Sequence, residues 1–369
     1  MKKILVFGMT KNPGGVESFI RSYYDKIDRT SLSFDFLCNF SEPMAYENEF
    51  KKIGSEIYHI PSRSQNYFKY KKAMKAFFEK NSKKYNAIWV NVCSLANIDY
   101  LIYSKKYGIK KRIIHSHNSQ NMDSKIRGQL HQLNKRRLAN YATDFWACSL
   151  DAALWFYTKK NIENCVIIKN AICLEDYLFN NKKRKTIREK LGVTNAYVIG
   201  NVGRLHFQKN QSFAIDIFNE FVSINPDSIL VLVGQGEDEI MLKNKVKKLN
   251  LESKVIFAGV QTDICSWLSA FDCFLFPSQF EGLGIAALEA QANGVPVLAS
   301  AEVIPKEVKI NDNFIFLNLK EPPNEWAKQL NIIKKDFARE NNVTISRNFD
   351  KNGYNIKTEV GKLQDLFMR

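Results

Sequence analysis

Short apolar runs, most of them ending in glycine or polar turns and followed by helix-forming stretches, recur along most of this 369-residue chain. The runs at 3–7, 33–37, 56–60, 87–90, 112–114, 144–147 and 166–168 are too short for helices and read as buried strands. A second series follows at 197–204, 229–233, 254–257, 271–276 and 295–298, with glycine at most of its hand-overs from strand to loop. Strands buried on both faces and separated by helical stretches suit a mostly parallel sheet with helices on both sides. The chain is longer than one core usually serves, and a Lys/Arg-rich polar stretch at 180–190 separates the two series. Two doubly wound α/β domains are therefore predicted.

In such folds ligands bind beyond the carboxyl ends of the strands, so the residues following each run carry the functional information. The richest stretch is 277–294, P-S-Q-F-E-G-L-G-I-A-A-L-E-A-Q-A-N-G, which reads as a turn with Gly282 and Gly284 opening an Ala/Leu-rich helix. Unpaired N–H groups and the positive end of a helix dipole make that junction an anion site. Its two carboxylates, Glu281 and Glu289, are out of place beside an anion unless they accept hydrogen bonds from hydroxyls, as sugars and riboses offer. The plainer alternative is an exposed acidic loop and a solvated helix glutamate. After the first strand, Gly14-Gly15 lets the backbone come close to a ligand, or simply makes a tight turn. After the run 112–114 come His115-Ser116-His117-Asn118, placed for a substrate contact; no third ligand accompanies them to suggest a metal. Neither G-x-G-x-x-G after the strand at 197 nor G-x-x-x-x-G-K-[ST] occurs, which removes the main support for dehydrogenase and P-loop readings.

Charge separates the two halves. The net charge of +16 comes mostly from residues 1–176, with 29 Lys/Arg against 16 Asp/Glu, while the remainder has 25 against 22. Such asymmetry suits nucleic acid, an anionic membrane surface or an acidic substrate. No recognisable nucleic-acid motif accompanies it, so nucleic acid is not expected. Residues 63–84 interleave eight basic side chains with Tyr67, Phe68, Tyr70, Met74, Phe77 and Phe78. That is the pattern of a helix lying on an anionic bilayer, or of an amphipathic helix whose aromatics face a core. No apolar run is long enough to span a membrane, and the N-terminal one is too short for a signal peptide. Seven scattered cysteines with no C-x-x-C pair read as reduced thiols, so a cytoplasmic protein is expected.

Four elements, in order, resemble one family: Gly14-Gly15-Val16-Glu17, Gly203-Arg204 with Lys209 five residues on, Gly234-Gln235-Gly236, and Glu281 separated by seven residues from Glu289. Together they resemble the retaining glycosyltransferases of GT-B fold, family four. The H-S-H-N loop is similar to the branch that makes bacterial capsule, exopolysaccharide or lipopolysaccharide. The resemblance implies an α/β GT-B architecture of two doubly wound Rossmann-like domains facing across a cleft. It places an acceptor- and membrane-facing domain at 1–178, a nucleotide-sugar donor domain at 179–340 with a linker about 179–195, and helices at 341–369 packing back on the first domain. Arg204 and Lys209 would hold the donor diphosphate in place of a metal, together with the backbone of Leu283, Gly284 and Ile285. Glu289 would take the ribose, Val260-Gln261 the base, and Glu281 the sugar. Gly15 would let the first loop reach the sugar, and His115 or His117 would touch it, with His115 the better fit to the family's position. No cofactor and no metal are implied, only a UDP-linked donor and a lipid-linked saccharide acceptor, at the inner face of the plasma membrane. One departure is Asn170-Ala171-Ile172-Cys173, where relatives often end in Asp. A catalytically silent nucleotide-sugar-binding subunit and a GT-B sugar-nucleotide epimerase are the alternatives.

Overall fold

The computed structural model describes every residue except 120–123 and 282. It forms two compact units, Met1–Ala171 with Ile356–Arg369, and Ile172–Asn355.

The first unit carries seven strands: β1 (Lys2–Phe7), β2 (Leu32–Cys38), β3 (Ile57–His59), β4 (Ala87–Val92), β5 (Lys111–Ser116), β6 (Asp144–Ala147) and β7 (Cys165–Ile167). All pairs are parallel in the order β3-β2-β1-β4-β5-β6-β7, so the winding reverses between β1 and β4. The central strands are buried on both faces, with Ile4, Leu5, Val6, Ile88, Trp89 and Val90 fully covered, as a parallel sheet between two helix layers requires. The helix Ile356–Met368 packs beside Gly15–Lys26 and sets Phe367 against Trp89 and Trp146.

The second unit repeats the plan with β8 (Tyr197–Val202), β9 (Ser228–Val233), β10 (Val255–Gly259), β11 (Cys273–Phe276), β12 (Val297–Ser300) and β13 (Phe314–Leu317), ordered β10-β9-β8-β11-β12-β13 and parallel throughout. Its winding reverses between β8 and β11. Two parallel-sheet α/β units of Rossmann type are thus present, as the alternation of apolar runs predicts. The strand β13 was not among the predicted runs; F-I-F-L is four residues long and lies at the sheet's edge.

Three expectations are corrected, and one open alternative is decided. The expected connector at 179–195 contains a regular helix, Asn181–Leu191, capped by the Asn180 side chain at one end and by Gly192 at φ 67° at the other. Its Ile187 and Leu191 pack on the second core, and Arg184 and Arg188 both reach Asp272. The polar composition that looked like a linker is the outer face of a docked helix. The division between units falls at 171/172 rather than 178/179. The helices after 340 also part company: Asn342–Asn352 packs on Ile285–Ala292 in the second unit, and only Ile356–Met368 joins the first. Finally, the helix Tyr67–Asn81 turns Tyr70, Met74, Phe77 and Phe78 into the first core. Its apolar stripe is core packing, so the helix does not lie on a bilayer by that face; Tyr67 and Phe68, in its first turn, stay exposed.

Candidate functional site

The reversal between β8 and β11 opens a crevice in the second unit, because the loops leaving these strands turn to opposite faces of the sheet. The two strands pair only through Ile199–Cys273 and Gly200–Phe274. Beyond that point the Asn201 side chain continues the join, Nδ2 donating to the Leu275 carbonyl at 2.8 Å. The loop after β8 holds Arg204 and Lys209; the loop after β11 holds Glu281, followed by the helix start at Gly284.

The two loops are laced together. Gln279 N donates to the Gln208 carbonyl at 2.8 Å, Gln208 Nε2 to the Phe280 carbonyl at 3.1 Å, and Asn210 Nδ2 to the Pro277 carbonyl at 3.1 Å. At their centre Lys209 Nζ meets Glu281 Oε1 at 2.6 Å, with both side chains largely buried and the ammonium 5.1 Å from the centre of the Phe276 ring. Arg204 is more exposed and pairs through Nε and Nη2 with both oxygens of Glu237, each at 3.0 Å. Buried Gln211 donates to the Arg204 carbonyl at 3.0 Å and so fixes that loop's path. Gly234, at φ 134°, follows β9 where a Cβ would lie 2.1 Å from the Gly203 carbonyl oxygen, so only glycine lets the two loops come this close.

Gly284, at φ 86°, caps the helix Ile285–Ala292 in the left-handed conformation that favours glycine. Ala287 N donates to the Gly284 carbonyl at 2.9 Å, and the N–H groups ahead of it precede the helical ladder, as at any helix start. Gly282 lies outside the described residues. One and a half turns on, Glu289 accepts from the Tyr177 hydroxyl at 2.9 Å. Loss of water around it outweighs that bond and the Lys209 charge, and pushes its carboxyl up to about 7 from an ordinary 4.5. The folded chain therefore holds this proton more tightly than the unfolded one, and ionising Glu289 lowers stability between those two pH values. Glu289→Gln, which keeps an acceptor for Tyr177, is expected to gain on the parent in melting temperature as pH rises from about 5 to about 7 and to hold the gain above it. Parallel melting curves across that range check this; a constant difference would show that Glu289 ionises normally.

Val260 and Gln261 follow β10, the edge strand two places from β8, away from the Lys209–Glu281 pair. Val260 is exposed and Gln261 Nε2 donates to the Ala258 carbonyl at 2.6 Å.

In the first unit, Gly15 is exposed and begins the helix Gly15–Lys26. Buried Glu17 closes the loop before it, accepting from Thr10 N at 2.8 Å. The two histidines differ from expectation. β5 runs on to Ser116, so His115 sits inside the strand, fully buried against Phe19, Trp89 and Trp146, with neither ring nitrogen hydrogen-bonded among the described residues. His117, not His115, stands at the strand's carboxyl end. Its Nε2 is 2.9 Å from Asn91 Oδ1, an acceptor, which places the proton on Nε2 and leaves Nδ1 able to accept. Burial holds His115 well below the ordinary histidine range and pushes His117 down to about 3, so both rings are neutral at physiological pH.

Sequence reasoning assigned no role to Glu237 or Tyr177. Glu237 stood in plain view as the last residue of G-Q-G-E; nothing in the sequence linked Tyr177 to Glu289, 112 positions away. No group of three or more His, Cys, Asp or Glu side chains among the described residues could hold a metal ion.

Residues 183–355 match the family described as Glycosyl transferases group 1. The second unit carries a glycosyl transferases group 1 domain. Among curated relatives, the putative glycosyltransferase EpsF of Bacillus subtilis is 27% identical over 379 residues, covering 99% of this chain and 96% of that one. The Escherichia coli UDP-Gal:alpha-D-GlcNAc-diphosphoundecaprenol alpha-1,3-galactosyltransferase is 32% identical over 216 residues, 55% of this chain and 53% of its own. The group 1 domain and these relatives together support the glycosyltransferase class. In fold, the chain is similar to Anabaena HepE, solved in complex with UDP and glucose, at a TM-score of 0.81 and 18% identity over all of both chains. That likeness confirms the GT-B type of architecture, two Rossmann-like units.

Proposed function

We propose that this protein is a retaining, metal-independent glycosyltransferase of family four. It moves a sugar from a UDP-linked donor to a lipid-linked saccharide in bacterial surface polysaccharide synthesis, working at the inner face of the plasma membrane. The observation that carries the reading is the lacing of the two switch-point loops of the group 1 domain around Lys209 and Glu281, beside a glycine-capped helix start.

Arg204 and Lys209 meet the diphosphate and exchange their carboxylate partners for phosphate oxygens, supplying the positive charge that a divalent ion supplies elsewhere. The N–H groups of Leu283, Gly284 and Ile285 add to it. Glu289 and Tyr177 receive the ribose, and Val260-Gln261 the base. Released from Lys209, Glu281 accepts from sugar hydroxyls and favours the positive charge growing at the anomeric carbon. His117, whose buried Nδ1 has no partner among the described residues, takes a further sugar hydroxyl as the donor settles, and Gly15 lets the first loop approach. The acceptor hydroxyl attacks from the face the diphosphate leaves. A carbon–oxygen bond to the acceptor forms as that to phosphate breaks, and the proton passes to the departing phosphate oxygen. Negative charge gathering on the diphosphate is what Arg204, Lys209 and the helix start stabilise most in the transition state.

Two relatives lend the substrates. The E. coli enzyme's name gives a UDP-sugar and a diphosphoundecaprenol-linked acceptor, and HepE was solved with UDP. No helix among the described residues is long and apolar enough to cross a membrane, which fits a peripheral protein. The test is a panel of nucleotide sugars for thermal stabilisation, followed by transfer to a diphospho-lipid saccharide with the new linkage read by NMR. A true donor at a hundred times its dissociation constant stabilises by about 2.7 kcal/mol. Stabilisation and transfer with retained anomeric configuration are expected. Donor conversion without acceptor points to an epimerase, binding without transfer to a silent subunit, and an inverted linkage refutes retention.

A further inference from the structure

The helix Lys125–Arg137 in the first unit is inside out. It buries two polar side chains, His131 and Asn134, while Ile126, Leu130 and Leu133 are 70%, 39% and 56% exposed. Spaced four and three apart, these three fall within about 60° of one another around the helix and form a single stripe. The buried pair anchors the helix to the loop after β4: Leu95 N donates to His131 Nδ1 at 3.1 Å, and Asn134 Nδ2 donates to the Leu95 carbonyl at 2.6 Å. The His131 ring also stacks on Trp155, with centroids 4.5 Å apart. The helix is thus held by polar contacts and turns its apolar stripe outward, the reverse of core packing.

Around the stripe the helix has five basic residues and no acidic one, with Lys125, Arg127 and Arg136 exposed. The same loop holds the start of the helix Tyr67–Asn81. The Ala96 carbonyl accepts from Arg63 Nη1 at 3.5 Å, and Asn97 Nδ2 donates to the Tyr70 hydroxyl at 3.1 Å. There Phe68 is 83% exposed. One short loop therefore positions two outward apolar features, both in basic surroundings.

We propose that this face docks on an anionic bilayer, with Ile126, Leu130 and Leu133 at the headgroup–acyl boundary and Lys125, Arg127 and Arg136 on lipid phosphates. An apolar stripe with basic flanks satisfies both conditions of interfacial binding, buried apolar area and attraction to negative headgroups. A second copy is the poorer occupant, because a two-fold contact would set one wholly basic helix against another. The surface belongs to the first unit and the donor-site loops to the second, and its test reads no turnover, so it succeeds or fails independently of the transferase reading.

The test is flotation of the full chain with phosphatidylcholine vesicles, with and without phosphatidylglycerol, at low and high salt. The parent is expected to float with the anionic vesicles and to be released by salt. Lys125→Glu/Arg127→Glu/Arg136→Glu should weaken binding by at least about a hundred-fold, at about fivefold for each basic charge removed. Ile126→Ser/Leu130→Ser/Leu133→Ser should weaken it by at least about tenfold. Lys247→Glu/Lys248→Glu, in the second unit, should bind as the parent does. All substituted side chains are exposed or partly so, and unchanged melting temperatures confirm folding. Absence of flotation by the parent, equal binding to neutral vesicles, or equal loss in the second-unit variant overturns the proposal. So does a concentration-dependent dimer that the stripe variant abolishes, which would identify a second copy as the occupant.

Discussion

Lys209→Ala is expected to lower turnover by about a hundred- to a thousand-fold, the usual effect of removing one pre-placed donor from a developing oxyanion. The same change should also cost stability, for a reason separate from catalysis. Lys209 Nζ lies 2.6 Å from Glu281 Oε1, and that carboxylate's side chain is only 6% exposed. Taking away the ammonium leaves a covered negative charge with its nearest cation gone, a loss of about 3 kcal/mol or more. Lys209→Ala/Glu281→Ala removes both charges and should recover most of the melting temperature while turnover stays low. Single-turnover kinetics and thermal melts on the parent and these two variants resolve the two effects. Parent-like turnover in Lys209→Ala would overturn the diphosphate role, and a double variant no more stable than the single would show that the pair is held by its loops.

The fold was legible because parallel strands covered on both faces leave uninterrupted apolar runs, and because glycines such as Gly234 mark where a strand must hand over to a loop without a side chain. The same logic led to 277–294, since a strand, glycine and helix in that order admit few arrangements. What composition could not show was direction. Residues 63–84 and the helix Lys125–Arg137 are both basic and apolar, yet the first turns its stripe inward and the second outward. The difference rests on where His131 and Asn134 find partners, in Leu95 nearly forty positions away. The strand end at the histidines is hidden for a smaller reason. Ending the run at Ile114 put His115 outside the strand, whereas β5 continues through two polar residues because their backbone still pairs with β4. Pairings with an exposed arginine, such as Glu237 with Arg204, leave no periodic trace at all.

The least visible feature predicts the second large effect. Asp272, at the start of β11, accepts from Arg184 Nη2 at 2.6 Å, from Arg188 Nη2, and from Val198 N at 2.8 Å. The same two guanidiniums cover the carbonyls that end the helix Ile264–Ala270, and Arg339 donates to the Phe271 carbonyl at 2.6 Å. Crowding by Arg184 and Arg188 adds to burial in pushing Arg339 down to about 9, so positive charge already strains this corner. Asp272 is the carboxylate that pairs with both Arg184 and Arg188, and it ties the helix Asn181–Leu191 to the sheet. Asp272→Ala is therefore expected to destabilise the second unit by about 3–5 kcal/mol, the range for breaking one partner out of a covered ion pair. For a unit of this size that is a fall of about 10 °C in its melting transition. Calorimetry should show the transition of the second unit moving while that of the first stays in place. Asp272→Asn, which keeps an acceptor for Val198 N, should fall between the two. A loss below about 1 kcal/mol would mean that the backbone carbonyls of residues 269–271 hold the arginines in place unaided.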